Sequence, residues 1–110
     1  MCGIAGIVLN EGPTDPALLD RMVRSLNHRG PDGVFTDVAA GFGHTRLAII
    51  DLETGDQPFR TDRGNQLVAN GEIYNYLELR SLLGEGRFKT LSDCETPLVL
   101  FECRGEKFAD

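Results

Sequence analysis

The sequence is short of several residue types, and each shortage narrows what the protein can be. Its 110 residues include no tryptophan, two histidines and three cysteines. The cysteines, Cys2, Cys94 and Cys103, are odd in number and lack C-x-x-C spacing, which argues against a disulfide framework and against a zinc site. We therefore predict no metal site, and we expect Cys94 and Cys103 to be buried core thiols.

Basic stripes and long apolar runs are also missing. The 11 lysines and arginines are scattered, and the formal net charge is −6. A surface that neutralises phosphates is therefore not expected, which excludes nucleic acid as a partner. The longest apolar runs, such as Leu98–Phe101, are far shorter than the roughly 20 residues that cross a bilayer, and no secretory pattern follows Met1. The sequence thus predicts a cytoplasmic protein without a membrane partner.

What remains is an ordinary globular composition. Hydrophobic residues make up 41% of the chain and charged residues 25%, which predicts a folded chain with one modest core. No internal repeat, low-complexity tract or linker interrupts the sequence. We therefore expect a single folding unit.

The first half of the chain predicts strands around one well-marked helix. Residues 3–9 form a short apolar run that is typical of a buried strand. Asp15 and Pro16 are typical of a helix start, and apolar residues then recur at helical spacing up to Gly30. Two extended segments follow at 34–39 and 41–51. Both faces of the second are partly apolar, so we expect it to be central in a sandwich.

The second half predicts a strand and two helices. The strand covers residues 66–69. Asn75 and Glu78 have the spacing of a capping box before a helix that stops at Gly84, and Ser92 and Glu95 repeat that spacing before a second helix at 98–104. This order of elements favours an α+β fold built around an antiparallel sheet.

Cysteine at the second position can act as an N-terminal nucleophile. Removal of Met1, favoured when the next residue is small, would place a free α-amine and a thiol on one residue. An α-amine titrates near about 7.7 to 8.0 and a thiol near about 8.5, so close to neutral pH the amine can take the thiol proton. Position alone also fits a small buried residue at a strand start, so the accompanying motifs decide the interpretation.

Five motifs accompany Cys2 in the order and approximate spacing of one family. They are Met1-Cys2-Gly3-Ile4-Ala5-Gly6, Arg29-Gly30-Pro31-Asp32, Arg46-Leu47-Ala48-Ile49-Ile50-Asp51, Asn70-Gly71-Glu72-Ile73-Tyr74-Asn75 and Ser92-Asp93-Cys94-Glu95. With these motifs the chain resembles the glutaminase domain of class II glutamine amidotransferases, in particular the asparagine synthetase (glutamine-hydrolysing) branch. The resemblance covers nearly the whole chain.

The resemblance implies a fold and a set of roles. The fold would be that of N-terminal-nucleophile hydrolases, a four-layer αββα sandwich with antiparallel sheets. Cys2 would attack the side-chain amide of glutamine, and Asn70 and Gly71 would form the oxyanion hole. The implied substrate-binding residues are Arg46, Leu47, Ile49, Ile50, Glu72 and Asp93. Among them, the charged groups would hold the α-carboxylate and α-ammonium of glutamine.

Taken singly, these residues have plainer interpretations. Arg46 could be an ion-pair partner, Asn70-Gly71 a turn and Asp93 a helix cap. Their joint presence with Cys2 favours a functional interpretation. We interpret His28 and His44 as structural, since the α-amine already supplies the base, and we interpret residues 29–32 as a loop that supports the pocket.

The resemblance also implies a partner. In the family, ammonia passes to an ATP-dependent synthetase domain in which ATP and Mg²⁺ activate aspartate. These 110 residues show no phosphate-binding loop, so we predict no cofactor in this chain and expect ATP and Mg²⁺ in a separate domain or second chain. We expect residues 1–110 to be a partial type-2 amidotransferase domain that depends on a partner for stability, and a homo-oligomer is a further possibility.

Two alternatives stay open at this point. A related amidotransferase could serve a secondary-metabolite acceptor, because the glutamine half would look the same. The chain could also be a truncated, catalytically silent interaction module. Thiol reactivity of Cys2 would separate the silent module from the enzyme.

Overall fold

A computed structural model describes residues 1–49 and 51–109 of the chain. The described residues form two compact units, whereas the sequence predicted a single folding unit. The first unit comprises residues 1–48 and 68–70, and the second comprises the other described residues.

The first unit is built on a three-stranded antiparallel sheet. Its strands are β1 (Gly3–Gly6), β2 (Gly33–Asp37) and β3 (Phe42–Arg46), in the order β1-β3-β2. The prediction that β3 is central is confirmed, but the predicted extent of 41–51 is wrong. The ladder explains the difference, since the neighbouring strands start opposite Thr45 and Arg46 and offer no pairing partner beyond them.

Helix α1 (Pro16–Ser25) packs against this sheet. It begins as predicted, with the Asp15 carboxylate accepting a hydrogen bond from the Ala17 N–H at 2.9 Å, although it ends five residues before Gly30. Leu19 and Val23 are fully buried and share the core with Ala5 of β1. Close approach of helix and sheet depends on Gly43, because a Cβ at that position would overlap the Val23 side chain.

The second unit combines a short hairpin with two helices. Strands β4 (Phe59–Arg60) and β5 (Gln66–Leu67) pair in antiparallel fashion, and β5 is shorter than the predicted strand at 66–69. Helices α2 (Tyr76–Leu83) and α3 (Thr96–Arg104) contact each other, and single 3-10 turns cover 85–87, 93–95 and 105–107. Antiparallel strands and separate helices confirm the α+β class, whereas the four-layer sandwich stays a prediction.

Both predicted capping boxes differ from what is found. Asn75 makes no side-chain capping bond before α2. Ser92 accepts a bond from the Cys94 N–H at 3.3 Å and so caps the 3-10 turn, but Glu95 does not complete a box. The buried Glu95 carboxylate instead accepts bonds from the backbone N–H groups of Lys89 and Thr90, at 2.9 and 2.8 Å. Glu95 therefore binds the backbone of the preceding loop instead of completing the predicted capping box.

Of the two cysteines predicted to be buried, one is buried and the other is not. Cys94 is buried, as predicted, and Cys103 is exposed, contrary to prediction. The buried positions of α3 are Thr96, Leu98 and Val99, all in its first half, whereas Cys103 lies in the last turn, where no residue of the helix is buried. Among the described residues, no helix is long and apolar enough to cross a membrane. In the same part of the chain, no group of three or more His, Cys, Asp or Glu side chains is arranged to hold a metal ion.

Candidate active site

The thiol of Cys2 lies at the end of the sheet in the first unit. Cys2 directly precedes β1, Leu47 directly follows β3, and antiparallel pairing of these strands brings the two residues together. The Leu47 N–H points at the Cys2 Sγ at 3.3 Å, and the Leu47 carbonyl oxygen lies 3.7 Å from the same sulfur. The half-buried thiol is therefore oriented by backbone groups 45 residues away in sequence.

Arg29 anchors the backbone of the same residue. Its Nε donates to the Cys2 carbonyl oxygen at 3.0 Å, and the arginine is half-buried in the turn after α1. A charged donor makes a stronger hydrogen bond than a neutral one. The sequence predicts this arginine only as part of a supporting loop, and its direct bond to Cys2 is visible only in the tertiary structure.

The rest of that loop contacts the end of β3. Asp32 accepts a bond from the Ala48 N–H at 2.9 Å, and its own N–H donates to the Arg46 carbonyl at 3.0 Å. Gly30 is pressed against the strand, since a Cβ there would lie 2.5 Å from the Thr45 carbonyl carbon and 2.6 Å from that of Arg46. Glycine is therefore required where the loop approaches the strand.

The predicted substrate-binding residues that follow one another at the end of β3 do not all belong to the same unit. Arg46 is buried as the last residue of that strand, and Leu47 is half-buried beside the thiol. Ile49 belongs to the second unit and is 72% exposed. Ile50, which was also predicted to bind substrate, lies outside the described residues. Of the three apolar residues predicted to bind substrate, Leu47 is thus the one seen in contact with the thiol.

His44 is the most buried charged or titratable side chain near this end of the first unit. It is 2% exposed on the central strand, and its ring forms a hydrogen bond with the backbone of Ala69. Burial lowers the pKa of His44 below its usual 6.5, and the nearby Arg46 charge acts in the same direction, while the bond to Ala69 opposes them. Asn70, the predicted oxyanion residue, follows Ala69 in the first unit and is exposed.

The second unit holds Gly71, Glu72 and Asp93. Asp93 is 3% exposed, and its Oδ2 accepts a bond from the Ile73 N–H at 2.7 Å. The Cys94 Sγ donates to the Gly71 carbonyl oxygen at 3.3 Å. Two hydrogen bonds therefore link segment 71–73 to the turn that carries Asp93, whereas Glu72 is exposed.

Asp51 also orders the chain next to that turn, a role that the sequence did not predict. It has a positive φ of 53°, and its carboxylate accepts bonds from the N–H groups of Thr54 and Leu91, both at 2.8 Å. Aspartate adopts this left-handed conformation more readily than most residues. Its place as the last residue of the Arg46–Asp51 motif was the available signal, but the bond to Leu91 was not visible in the sequence.

Comparison with known proteins gives this arrangement its context. A family model described as a glutamine amidotransferase domain matches residues 1–110. The chain is 42% identical over 117 residues to asparagine synthetase (glutamine-hydrolyzing) 2 of Bacillus subtilis (strain 168), with all of this chain and 16% of that protein covered. It is also 42% identical over 118 residues to asparagine synthetase (glutamine-hydrolyzing) of Brassica oleracea, with all of this chain and 20% of that protein covered.

The relatives are much longer than the matched region. The chain spans 16 to 20% of the length of these relatives, so it corresponds to one part of such a protein. The predicted resemblance to the asparagine synthetases is confirmed by the identity of the matched sequences. Because the family model covers every residue, the chain belongs to the glutamine amidotransferase domain family.

Proposed function

We propose that this chain hydrolyses L-glutamine to glutamate and ammonia, with Cys2 as the nucleophile. The observation that carries the proposal is the placement of the Cys2 thiol at the end of the sheet, 3.3 Å from the Leu47 N–H, in a member of the glutamine amidotransferase domain family. Because backbone groups already orient the thiol, it loses little conformational entropy when substrate binds. Such preorganisation is what nucleophilic catalysis requires.

The reaction would begin after removal of Met1, a residue that is 66% exposed. The freed α-amine of Cys2 takes the thiol proton, and the sulfur attacks the amide carbon of glutamine. The resulting tetrahedral oxyanion is held by the Asn70 side-chain amide and the Gly71 N–H. Collapse breaks the carbon–nitrogen bond and releases ammonia with the proton returned by the amine. Water then hydrolyses the glutamyl thioester to glutamate and regenerates the thiol.

Charged residues would select glutamine by its backbone groups. Arg46 can donate two parallel hydrogen bonds to the α-carboxylate, and Asp93 and Glu72 can hold the α-ammonium. The buried Asp93 carboxylate supports this role, because the Ile73 N–H orients one oxygen at 2.7 Å. Leu47, Ile49 and Ile50 would contribute apolar contacts along the substrate chain.

We further propose that the ammonia serves ATP-dependent amide formation, with asparagine formed from aspartate. The support is that the long relatives are named asparagine synthetases, of which this chain covers up to 20%. We assign ATP and Mg²⁺ to a synthetase domain or a second chain, since the motifs of this chain concern glutamine alone. The cytoplasm, where glutamine and ATP are both abundant, is the proposed location.

Mass spectrometry with 6-diazo-5-oxo-norleucine, an electrophilic glutamine mimic, tests the proposal. We expect a protein without Met1 that carries one adduct on Cys2, and Cys2→Ala should carry none. Cys103 is exposed and therefore provides a matched control, since Cys103→Ala should keep the adduct. An adduct on Cys103 with Cys2 unmodified would refute the proposal, as would the absence of any adduct on a protein that has lost Met1.

A further inference from the structure

The imidazole of His44 links two parts of the first unit that are far apart in sequence. Segment 68–70 lies outside every strand, yet it belongs to the same unit as the sheet. His44, on the central strand, forms a hydrogen bond with the Ala69 backbone. The segment that delivers Asn70 is thus tied to the sheet by a side chain rather than by a strand ladder.

The bond identifies the form of the ring. Nε2 is buried without a hydrogen-bond partner among the described residues, so Nδ1 makes the bond to Ala69. That bond raises the pKa of His44, which means that the ring N–H donates to the Ala69 carbonyl oxygen. Burial lowers the same pKa, and a proton on the enclosed Nε2 would find no acceptor. The ring is therefore neutral, with its proton on Nδ1.

The two ends of this link lie next to the proposed reacting groups. Along β3, His44 stands two residues before Arg46 and three before Leu47, whose N–H contacts the Cys2 sulfur at 3.3 Å. On the other side, Ala69 is bonded covalently to Asn70. A rigid ring at 2% exposure thus connects the strand that orients the thiol to the residue proposed to hold the oxyanion.

We propose that His44 is a positioning residue for the oxyanion hole, fixing Asn70 relative to the Cys2 thiol through the hydrogen bond from its Nδ1 to the Ala69 carbonyl. This inference rests on the proposed glutaminase function and adds a residue to it. It replaces our structural interpretation of this histidine. Its effect is on the transition state, because Asn70 is needed when charge develops on the amide oxygen and not when glutamine binds.

Two substitutions separate this role from simple packing. His44→Asn keeps an N–H close to the position of Nδ1 but loses volume, whereas His44→Leu keeps most of the volume and loses the donor. In the full-length protein we expect His44→Leu to lower kcat for glutamine hydrolysis by about 10- to 100-fold with KM within about twofold, since a small misplacement of a catalytic group has effects of this size. His44→Asn should restore most of kcat despite its smaller side chain.

A second readout checks that the thiol itself is unaffected. Alkylation of Cys2 by iodoacetamide develops no oxyanion, so its rate should be equal in the wild type and His44→Leu. Nitrogen-15 shifts of the wild-type imidazole should show a neutral ring protonated on Nδ1. Equal kcat in His44→Leu and wild type, or a better kcat in His44→Leu than in His44→Asn, would overturn the proposal, as would a ring protonated on Nε2.

These experiments distinguish a failure of the His44 proposal from a failure of the proposed glutaminase function. Formation of the 6-diazo-5-oxo-norleucine adduct by the wild type tests the glutaminase assignment without any change at His44. If the adduct forms and kcat does not respond to His44→Leu, the positioning role alone is refuted. If the wild type forms no adduct and releases no ammonia, the glutaminase function is refuted and the catalytic role of His44 falls with it.

Discussion

Gly30→Ala should damage both stability and activity, and the contacts of Gly30 show by how much. An added Cβ would lie 2.5 Å from the carbonyl carbon of Thr45 and 2.6 Å from that of Arg46. Carbon atoms pack at about 3.5 to 4.0 Å, so loop and strand must separate by about 1 Å. Overpacking of this kind costs typically about 1 to 3 kcal/mol. Backbone atoms of a central strand cannot yield as a flexible side chain can.

The displaced loop carries contacts of the candidate site. Arg29 precedes Gly30 and holds the Cys2 carbonyl at 3.0 Å, and Asp32 holds the Ala48 N–H at 2.9 Å. A shift of about 1 Å in a group that orients the nucleophile can lower the rate about 100-fold. We therefore expect Gly30→Ala to lose about two orders of magnitude in glutamine hydrolysis.

Urea unfolding and ammonia release measure the two effects, and Gly33→Ala is the matched control. A Cβ at Gly33 would lie 3.6 Å from the Arg46 Cβ, which is an ordinary contact. The control should therefore stay within about 0.5 kcal/mol of wild type, as surface and uncrowded sites commonly do. Equal stability and equal activity in the two variants would show that the loop is not pressed against β3 as described.

Two further predictions concern α1 and the buried histidine. Asp15→Ala should destabilise the protein by about 1 kcal/mol in urea unfolding, because it removes the cap on the Ala17 N–H, and should leave Cys2 alkylation unchanged; a midpoint equal to wild type would contradict the cap. The pKa of His44 is lowered on folding, so the unfolded chain binds more protons and stability should fall as pH drops below about 6.5 toward the folded pKa. His44→Asn should reduce this slope between pH 7 and 5, and an unchanged slope would show that His44 does not titrate in this way.

Strong local signals made parts of the fold predictable. Asp15 and Pro16 mark the start of α1, and Gly84 and Gly105 end their helices at positive φ values of 93° and 61°. In these cases the signal and the structure involve the same few residues. The capping box at Asn75 was predicted from spacing alone, but the Asn75 side chain makes no capping bond before α2.

Strand lengths were less predictable. The apolar stretch of residues 41–51 fits a long strand by composition, but β3 ends at Arg46 because β1 and β2 start opposite Thr45 and Arg46. A strand extends only as far as it has neighbours for its hydrogen bonds. Since those neighbours come from distant parts of the sequence, periodicity within the strand carries no information about them.

The residues of the candidate site were likewise predictable from the sequence, but their contacts were not. Motif residues identified Cys2, Arg46, Asn70, Gly71 and Asp93 as a set without any structure, and the family match agrees with the function implied by that set. The contacts of Arg29 with Cys2, of Asp51 with Leu91 and of His44 with Ala69 appeared only in the folded chain. These side chains bind backbone N–H or C=O groups, which are the same in nearly every residue, so the sequence does not show where such partners lie.

The sequence by itself therefore determined the family and the α+β class and singled out Cys2 as the proposed nucleophile, because these depend on residue types at defined spacings. Tertiary structure alone decided which groups hold Cys2 and the segment before the predicted oxyanion residue. Hydrogen bonds such as that from the Leu47 N–H to the Cys2 sulfur, across 45 positions of sequence, form only after antiparallel pairing has set the register. Orientation at this site is consequently a property of the sheet and its loops, and not of any one motif.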